Sequence, residues 1–150
     1  MYNSPVRIAI ASDHAGFTLK EALKRTLGPS VERLDDFGTD SEESADYPDF
    51  AAAVGLRVAS GEYDRGILIC GTGIGMTIAA NKIPGVRAAT VWDETTARLC
   101  RSHNDANVLA LGARELSPEF ALALVRVFLE TPFAGGRHER RVRKLNGENP

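Results

Sequence analysis

The sequence predicts an α/β protein: a three-layer αβα, Rossmann-like sandwich built on a five-stranded parallel sheet. Short aliphatic runs alternate with longer helical patterns along the chain, which is typical of a parallel sheet with helices on both faces. The 150 residues, 43% of them hydrophobic, also have the size and balance of one soluble globular domain. We therefore expect a single domain over residues 1–150, with a basic C-terminal segment over about 135–150.

Five runs have the length and composition of strands, and we place them at 6–12, 31–35, 65–70, 87–91 and 108–111. Ligands of open parallel sheets bind beyond the carboxyl ends of the strands. Polar residues directly after these runs are therefore the first candidates for a site. We expect the first and third strands to be neighbours, since the groups that follow them would have to reach one ligand.

Five helical segments separate or follow these strands. Leucines at helical spacing predict the first, which Gly28 and Pro29 end. The others are expected over about 49–60, from the glycine loop at 71–75 to about 82, over 94–102, and from Pro118 to 129. Ser117 marks the last start clearly, because serine accepts a hydrogen bond from a free amide and proline fits the first helical position.

Charge and cysteine content exclude several classes of protein. The formal net charge of −2 gives no overall attraction to nucleic acid or to a membrane surface, and no stretch approaches membrane-spanning length. Cys70 and Cys100 form neither a CxxC motif nor a zinc-like cluster, so free thiols in a reducing compartment are expected. We expect a cytoplasmic protein with no metal, no cofactor, and no nucleic-acid or membrane partner.

One segment is strongly acidic. Residues 35–49 carry seven carboxylates around Gly38, Ser41 and Ser44. A run of like charges is usually solvated, so we expect an exposed loop here.

Two strand ends carry groups suited to chemistry. Asp13 and His14 follow the first strand; they could bind hydroxyls, move protons or hold a phosphate, or Asp13 could simply cap the next helix. Cys70 ends the third strand and opens "CGTGIGM", whose alternating glycines let backbone amides converge on an anion. The loop lacks the lysine of a phosphate loop and the spacing of a dinucleotide fingerprint, so nucleotide binding is the weaker interpretation. Cys70 is then either a reactive thiolate or an ordinary buried cysteine, and its position favours the first. Cys100 is expected in the core.

Further candidates lie late in the chain. His103 and Asn104 precede the fifth strand, and Arg114 follows it. Histidine suits proton transfer near neutral pH, although a lone histidine is more often structural. Arg137 and Arg141 are four residues apart, so on a helix both could hold one anion; the alternative is a solvated helix.

Six segments together resemble one family, the type B ribose-5-phosphate isomerases. They are "SDHAG" (12–16), "DYPDFA" (46–51), "CGTGIGM" (70–76), "AANKIPGVRAA" (79–89), "HNDANVLALGAR" (103–114) and "GGRHERR" (135–141). Their order and spacing agree with that family over nearly the whole chain. The wider family also contains allose-6-phosphate and galactose-6-phosphate isomerases.

The resemblance implies aldose–ketose isomerisation of a sugar phosphate, first of all ribose 5-phosphate to ribulose 5-phosphate in the pentose phosphate pathway. The reaction runs through a cis-enediolate, without a metal or cofactor, in a homodimer or tetramer with sites between subunits. Family members use as base either the cysteine at the strand end or a glutamate six positions later. Cys70 and Met76 match the cysteine group.

The resemblance also assigns roles to individual residues. Cys70 is implied as the base, Thr72 as its assistant, and His103 as the group that opens the sugar ring. Contacts to the sugar or enediolate are implied for Asp13, His14, Gly71, Gly73, Ile74, Gly75 and Asn104, and contacts to the phosphate for Arg114, Arg137 and Arg141. Tyr47 lies in a matching motif with its role open. A six-carbon sugar phosphate as substrate, a noncatalytic sugar-phosphate-binding subunit and a thiol redox protein remain as alternatives.

Overall fold

A five-stranded parallel sheet, in the order β2-β1-β3-β5-β4, forms the centre of the molecule. The computed structural model describes residues 5–150. The strands are β1 (Arg7–Ser12), β2 (Arg33–Asp36), β3 (Arg65–Cys70), β4 (Ala88–Thr90) and β5 (Val108–Gly112). All five predicted strands are therefore confirmed to within two residues at each end. The expectation that the first and third strands pair is also confirmed.

Within residues 5–150, six α-helices cover the sheet: α1 (Phe17–Leu27), α2 (Tyr47–Ala59), α3 (Ile74–Ala80), α4 (Glu94–Ser102), α5 (Pro118–Glu130) and α6 (Arg137–Leu145). The Ser117 side chain accepts a hydrogen bond from the Phe120 amide, as the predicted cap requires. The basic C-terminal segment forms α6. None of the helices in residues 5–150 is both long enough and apolar enough to cross a membrane.

Side chains alternate along each strand and so divide the core between the two faces of the sheet. Ile8 and Ile10 of β1 pack with residues of α1, α4 and α5. Ala9 and Ala11 pack on the opposite face with residues of α2 and α3. Cys70 belongs to this second cluster. Asp13, which directly follows β1, is also buried.

The acidic segment differs from the exposed loop that its composition predicts. Asp35 and Asp36 lie in β2, where Asp35 accepts a hydrogen bond from the buried hydroxyl of Tyr63. The Asp36 carboxylate pairs with Lys20 at 2.7 Å and Lys24 at 2.8 Å. Composition misled at this end because two buried or half-buried lysines of α1 neutralise a carboxylate that would otherwise need water. The residues at the other end, 47–49, begin α2.

Candidate active site

Cys70 ends β3 with its sulfur held by the loop that follows. The side chain is buried, and its Sγ accepts a hydrogen bond from the Gly73 amide at 3.2 Å. Gly73 has a φ of 80°, a left-handed conformation in which glycine is strongly favoured. The turn therefore holds the sulfur at the carboxyl end of the strand, with a backbone N–H group directed at it.

The remaining amides of the glycine loop differ in how far they are used. The Ile74 amide donates to the Thr72 hydroxyl oxygen at 3.3 Å. Within residues 5–150, the amides of Gly71, Thr72 and Gly75 donate to no other group. These three amides are therefore available to donate hydrogen bonds to an anion at the loop.

Asp13 and His14 lie across from this loop, at the end of β1. The Asp13 amide donates to the Ile69 carbonyl at 3.2 Å, which ties this residue to the end of β3. Its carboxylate accepts from the Gly16 amide at 3.2 Å, so Asp13 does cap the turn that follows. His14 accepts a hydrogen bond at Nδ1 from the Ala45 amide, at 3.1 Å.

Arg114 and Tyr47 pack closely against two of the loop glycines. A Cβ at Gly71 would lie 2.5 Å from Arg114 Nη1, and one at Gly75 would lie 2.6 Å from Tyr47 Cζ. Such distances exclude any larger residue at either position unless the neighbour moves. Arg114 and Tyr47 thus border the same loop, and the sequence alone had left the role of Tyr47 open.

A second group of polar residues surrounds His103. The His103 ring stacks on His138 with 4.1 Å between centroids and 15° between planes. Desolvation, followed by the charges of His103, Arg137 and Arg141, lowers the pKa of His138 below its ordinary value of 6.5. Arg137 and Arg141 are exposed on α6 one turn apart, as their spacing predicts.

These two groups lie at opposite ends of the parallel strands, the Cys70 group at the carboxyl ends and the His103 group at the amino ends. Cys70 pairs in register with Gly112, the last residue of β5, whereas His103 precedes the first, Val108. Val108 and Gly112 are four residue steps apart along β5, or about 13 Å at ~3.3 Å per step. The segment leading into α6 is attached beside His103, at the amino ends of the strands, because the Ala134 amide donates to the Ser102 carbonyl.

One chain therefore carries two separate groups of candidate residues, which we call half-sites. The Cys70 half-site comprises Asp13, His14, Tyr47, Cys70, the loop 71–75 and Arg114. The His103 half-site comprises His103, Asn104, Arg137, His138 and Arg141. The structure brings the candidate residues together within each half-site, but it does not bring the two half-sites together within one chain.

Cys100 is confirmed as a core residue. It belongs to the hydrophobic cluster on the face of the sheet opposite Cys70, and its Sγ donates to the Ala97 carbonyl at 3.3 Å. Burial raises the pKa of its thiol to about 11. Both cysteines are free. Cys100 therefore cannot serve in the same chain as the resolving partner of Cys70 that the thiol redox interpretation requires.

The described residues offer no evident metal site: in 5–150, no three or more His, Cys, Asp or Glu side chains are grouped so that they could hold an ion. The two half-sites supply thiol, carboxylate, phenol, imidazole, amide and guanidinium groups.

An apolar surface beside the Cys70 half-site was missed by the sequence interpretation. Ile74 and Ile78 are each 57% exposed and lie one turn apart on α3. Trp92 is 60% exposed and follows β4, which is joined to α3 by the bond between Thr77 and Thr90 hydroxyls. The i, i+4 spacing of the two isoleucines was the available signal.

Comparisons with known proteins show which family the chain belongs to. A family model described as Ribose/Galactose Isomerase matches residues 8–145. Ribose-5-phosphate isomerase B of Escherichia coli is 46% identical over 139 residues, which cover 93% of each chain. A ribose 5-phosphate isomerase from Thermotoga maritima superposes with a TM-score of 0.92 at 54% identity, covering 95% of this chain and 99% of that one. Ribose-5-phosphate isomerase B from Mycoplasma genitalium, solved with bound ribulose-5-phosphate, gives a TM-score of 0.90 at 44% identity and covers 94% of each chain. The chain belongs to the ribose/galactose isomerase family.

Proposed function

We propose that this protein is a metal-independent aldose–ketose isomerase that interconverts ribose 5-phosphate and ribulose 5-phosphate. The observation that carries the proposal is the Cys70 sulfur, which accepts a hydrogen bond from the Gly73 amide in a loop with further free amides. A base beside an anion-binding loop is what proton abstraction next to a carbonyl requires. The ribulose-5-phosphate bound to the Mycoplasma relative supports this class of substrate. The two free thiols suit a cytoplasmic location.

The reaction follows from these groups. The Cys70 thiolate removes the proton from C2 of the open-chain aldose, and the electron pair moves to the C1 carbonyl oxygen, giving a cis-enediolate. A proton passes from O2 to O1, with the Thr72 hydroxyl assisting. The Cys70 thiol then returns its proton to C1 as the C2 carbonyl forms. Loop amides stabilise the charged oxygen, a contribution of about 3 kcal/mol per donor.

The division into half-sites supports a homodimer with each site at the subunit interface. Ribose 5-phosphate exists mainly as a closed ring, which must open before Cys70 can remove the C2 proton. His103, as the ring-opening group, must therefore reach the same sugar as Cys70. A second copy can bring its His103 half-site over the Cys70 half-site of the first, and a two-fold axis then creates two equal sites. The exposed Ile74, Ile78 and Trp92 beside the loop provide apolar surface for such a contact.

This assembly assigns the phosphate-binding arginines to different subunits. Arg114 belongs to the Cys70 half-site, so it would act in the site of its own Cys70. Arg137 and Arg141 extend from α6 at the opposite ends of the strands, so they would act in the site of the other copy. A dimer is the smallest assembly that completes a site, and a tetramer could be formed from two such dimers.

The substrate is tested by comparing kcat/KM for ribose 5-phosphate, allose 6-phosphate, galactose 6-phosphate and a four-carbon aldose phosphate. We expect ribose 5-phosphate to give the highest value. A higher value for a six-carbon substrate would assign the protein to that branch of the family. Binding of all four without turnover would instead identify a noncatalytic sugar-phosphate-binding protein.

The base is tested by Cys70→Ala, with Cys100→Ala as the matched control. We expect Cys70→Ala to lose isomerisation while it still folds and binds the sugar phosphate, because only the proton acceptor is removed. Cys100→Ala removes a buried thiol on the other face of the sheet, so it should retain turnover at a modest cost in thermal stability. Normal turnover by Cys70→Ala would rule out the mechanism.

A further inference from the structure

Lys20 is a fully buried lysine in a helix that otherwise buries leucines. It shares one face of α1 with Leu23 and Leu27, and its relative exposure is 0%. Lysine is almost never fully buried unless its charge is paired. Here Nζ lies 2.7 Å from the Asp36 carboxylate and also donates to the Thr39 carbonyl. The ammonium group therefore joins α1 both to β2 and to the loop that follows β2.

This loop, residues 37–46, crosses the end of β1 and is attached at several points. The Thr39 amide donates to the Ser12 carbonyl at 3.0 Å. The Thr18 hydroxyl of α1 donates to the Glu42 carboxylate at 3.1 Å. Of these attachments, the Lys20 bond to the Thr39 carbonyl is made by a buried charge, which water cannot easily replace.

The far end of the loop contacts the Cys70 half-site. There the Ala45 amide donates to Nδ1 of His14. A neutral imidazole has one donor nitrogen and one acceptor nitrogen, so acceptance at Nδ1 places the ring proton on Nε2. His14 can then offer an N–H donor from Nε2, whereas the other tautomer would offer only an acceptor there.

We propose that Lys20 is a positioning residue: its buried ammonium group holds loop 37–46 on α1, so that the Ala45 amide keeps His14 in the tautomer that donates from Nε2. The donor suits an oxygen of a phosphorylated sugar, a step that rests on the proposed function. The tautomer itself does not depend on that function. Sequence resemblance implied a substrate contact for His14 and assigned nothing to Lys20.

The test compares Lys20→Met with Lys24→Met. Methionine fills the space of the lysine stem and removes the charged donor. Lys24 is the matched control, because it also pairs with Asp36, at 2.8 Å, but makes no bond to Thr39. The ¹⁵N shifts of the His14 ring report the tautomer without substrate, and His14→Gln identifies its signals.

We expect Lys20→Met to shift the His14 ring nitrogens toward a mixture of tautomers. We also expect it to raise KM for ribose 5-phosphate about fivefold, the loss of roughly one hydrogen bond, with a smaller change in kcat. Lys24→Met should leave both the spectrum and KM unchanged. A folded Lys20→Met protein with unaltered His14 shifts would overturn the inference, and so would an equal shift in Lys24→Met.

If Lys20→Met does not fold, Lys20→Gln retains a polar donor of shorter reach and is measured in the same way. A tautomer shift supports the proposal, and an unchanged spectrum overturns it. Failure of the proposed function is recognised separately: the His14 spectrum would respond to Lys20 substitution while no sugar phosphate is isomerised.

Discussion

Mixing two inactive variants tests whether each site is built from two chains. Cys70→Ala removes the proposed base from the carboxyl ends of the strands. His103→Asn removes the proposed ring-opening group from their amino ends. Because about 13 Å of β5 separates the two levels, one chain should not hold both groups in one site. Each variant alone should be inactive on ribose 5-phosphate, since both copies in its dimer carry the same defect.

In a mixed dimer, one site receives both substitutions and the other receives neither. Random pairing of equal amounts gives heterodimers as half of all dimers, each with one intact site. The mixture should therefore recover about a quarter of unmodified activity per chain, and heterodimer purified by two different tags about half. The assay is the rate of ribulose 5-phosphate formation after the two variants are unfolded together and refolded.

The control combines Cys70→Ala with Cys70→Ser. Every site in this mixture lacks the thiol, so no activity should return. If each chain contained a complete site, the mixture of Cys70→Ala and His103→Asn would also stay at the level of its parents. That result, obtained with heterodimers demonstrated by the two tags, would refute the two-chain site.

Three further predictions follow from individual contacts. Gly71→Ala should raise KM for the sugar phosphate about tenfold. The new Cβ would lie 2.5 Å from Arg114 Nη1, so the guanidinium group would have to move and its charged hydrogen bond to the phosphate would weaken. Gly28→Ala, with open space around it, is the control and should leave KM unchanged. His138 should titrate below 6.5 by NMR, and Arg141→Gln should raise that midpoint; a midpoint at or above 6.5 in the unmodified protein would contradict this. Since the folded state lowers this pKa, the associated stability is present above pH 6.5 and decreases as the pH falls through the lowered pKa. Chelators should leave the isomerisation rate unchanged; a rate lost on chelation and restored by a divalent ion would contradict a metal-independent reaction.

The elements of the fold were predictable because local signals and the tertiary structure agree. Runs of β-branched and aliphatic residues became the buried strands, and Ser117 with Pro118 began α5 as expected. Helix α4 also begins and ends at the predicted residues. The acidic segment was predicted less well, since the pairing of Asp36 with Lys20 depends on how α1 packs against β2.

The division into half-sites was also present in the sequence, although composition and motifs do not display it. His103 lies before the fifth strand and Arg114 after it, so their positions in the chain already assign them to opposite ends of the parallel strands. Resemblance to a family implies that these residues act in one site, but it does not give the distance between them within one chain. The signal for Lys20 was a charged residue on the leucine face of α1, but its partner, a loop carbonyl, could not be identified from the sequence.

The proposed two-chain site links substrate binding to assembly. Arg114 would approach the phosphate from one chain, and Arg137 and Arg141 from the other. Three guanidinium groups repel one another in the empty site, and a phosphate dianion converts that repulsion into attraction. A ligand that binds the assembled form more tightly than the separate chains stabilises the assembly by the same free energy. In the proposed dimer the substrate would therefore help to hold the two chains together, and the apolar surface beside the loop would not have to supply all of the contact energy.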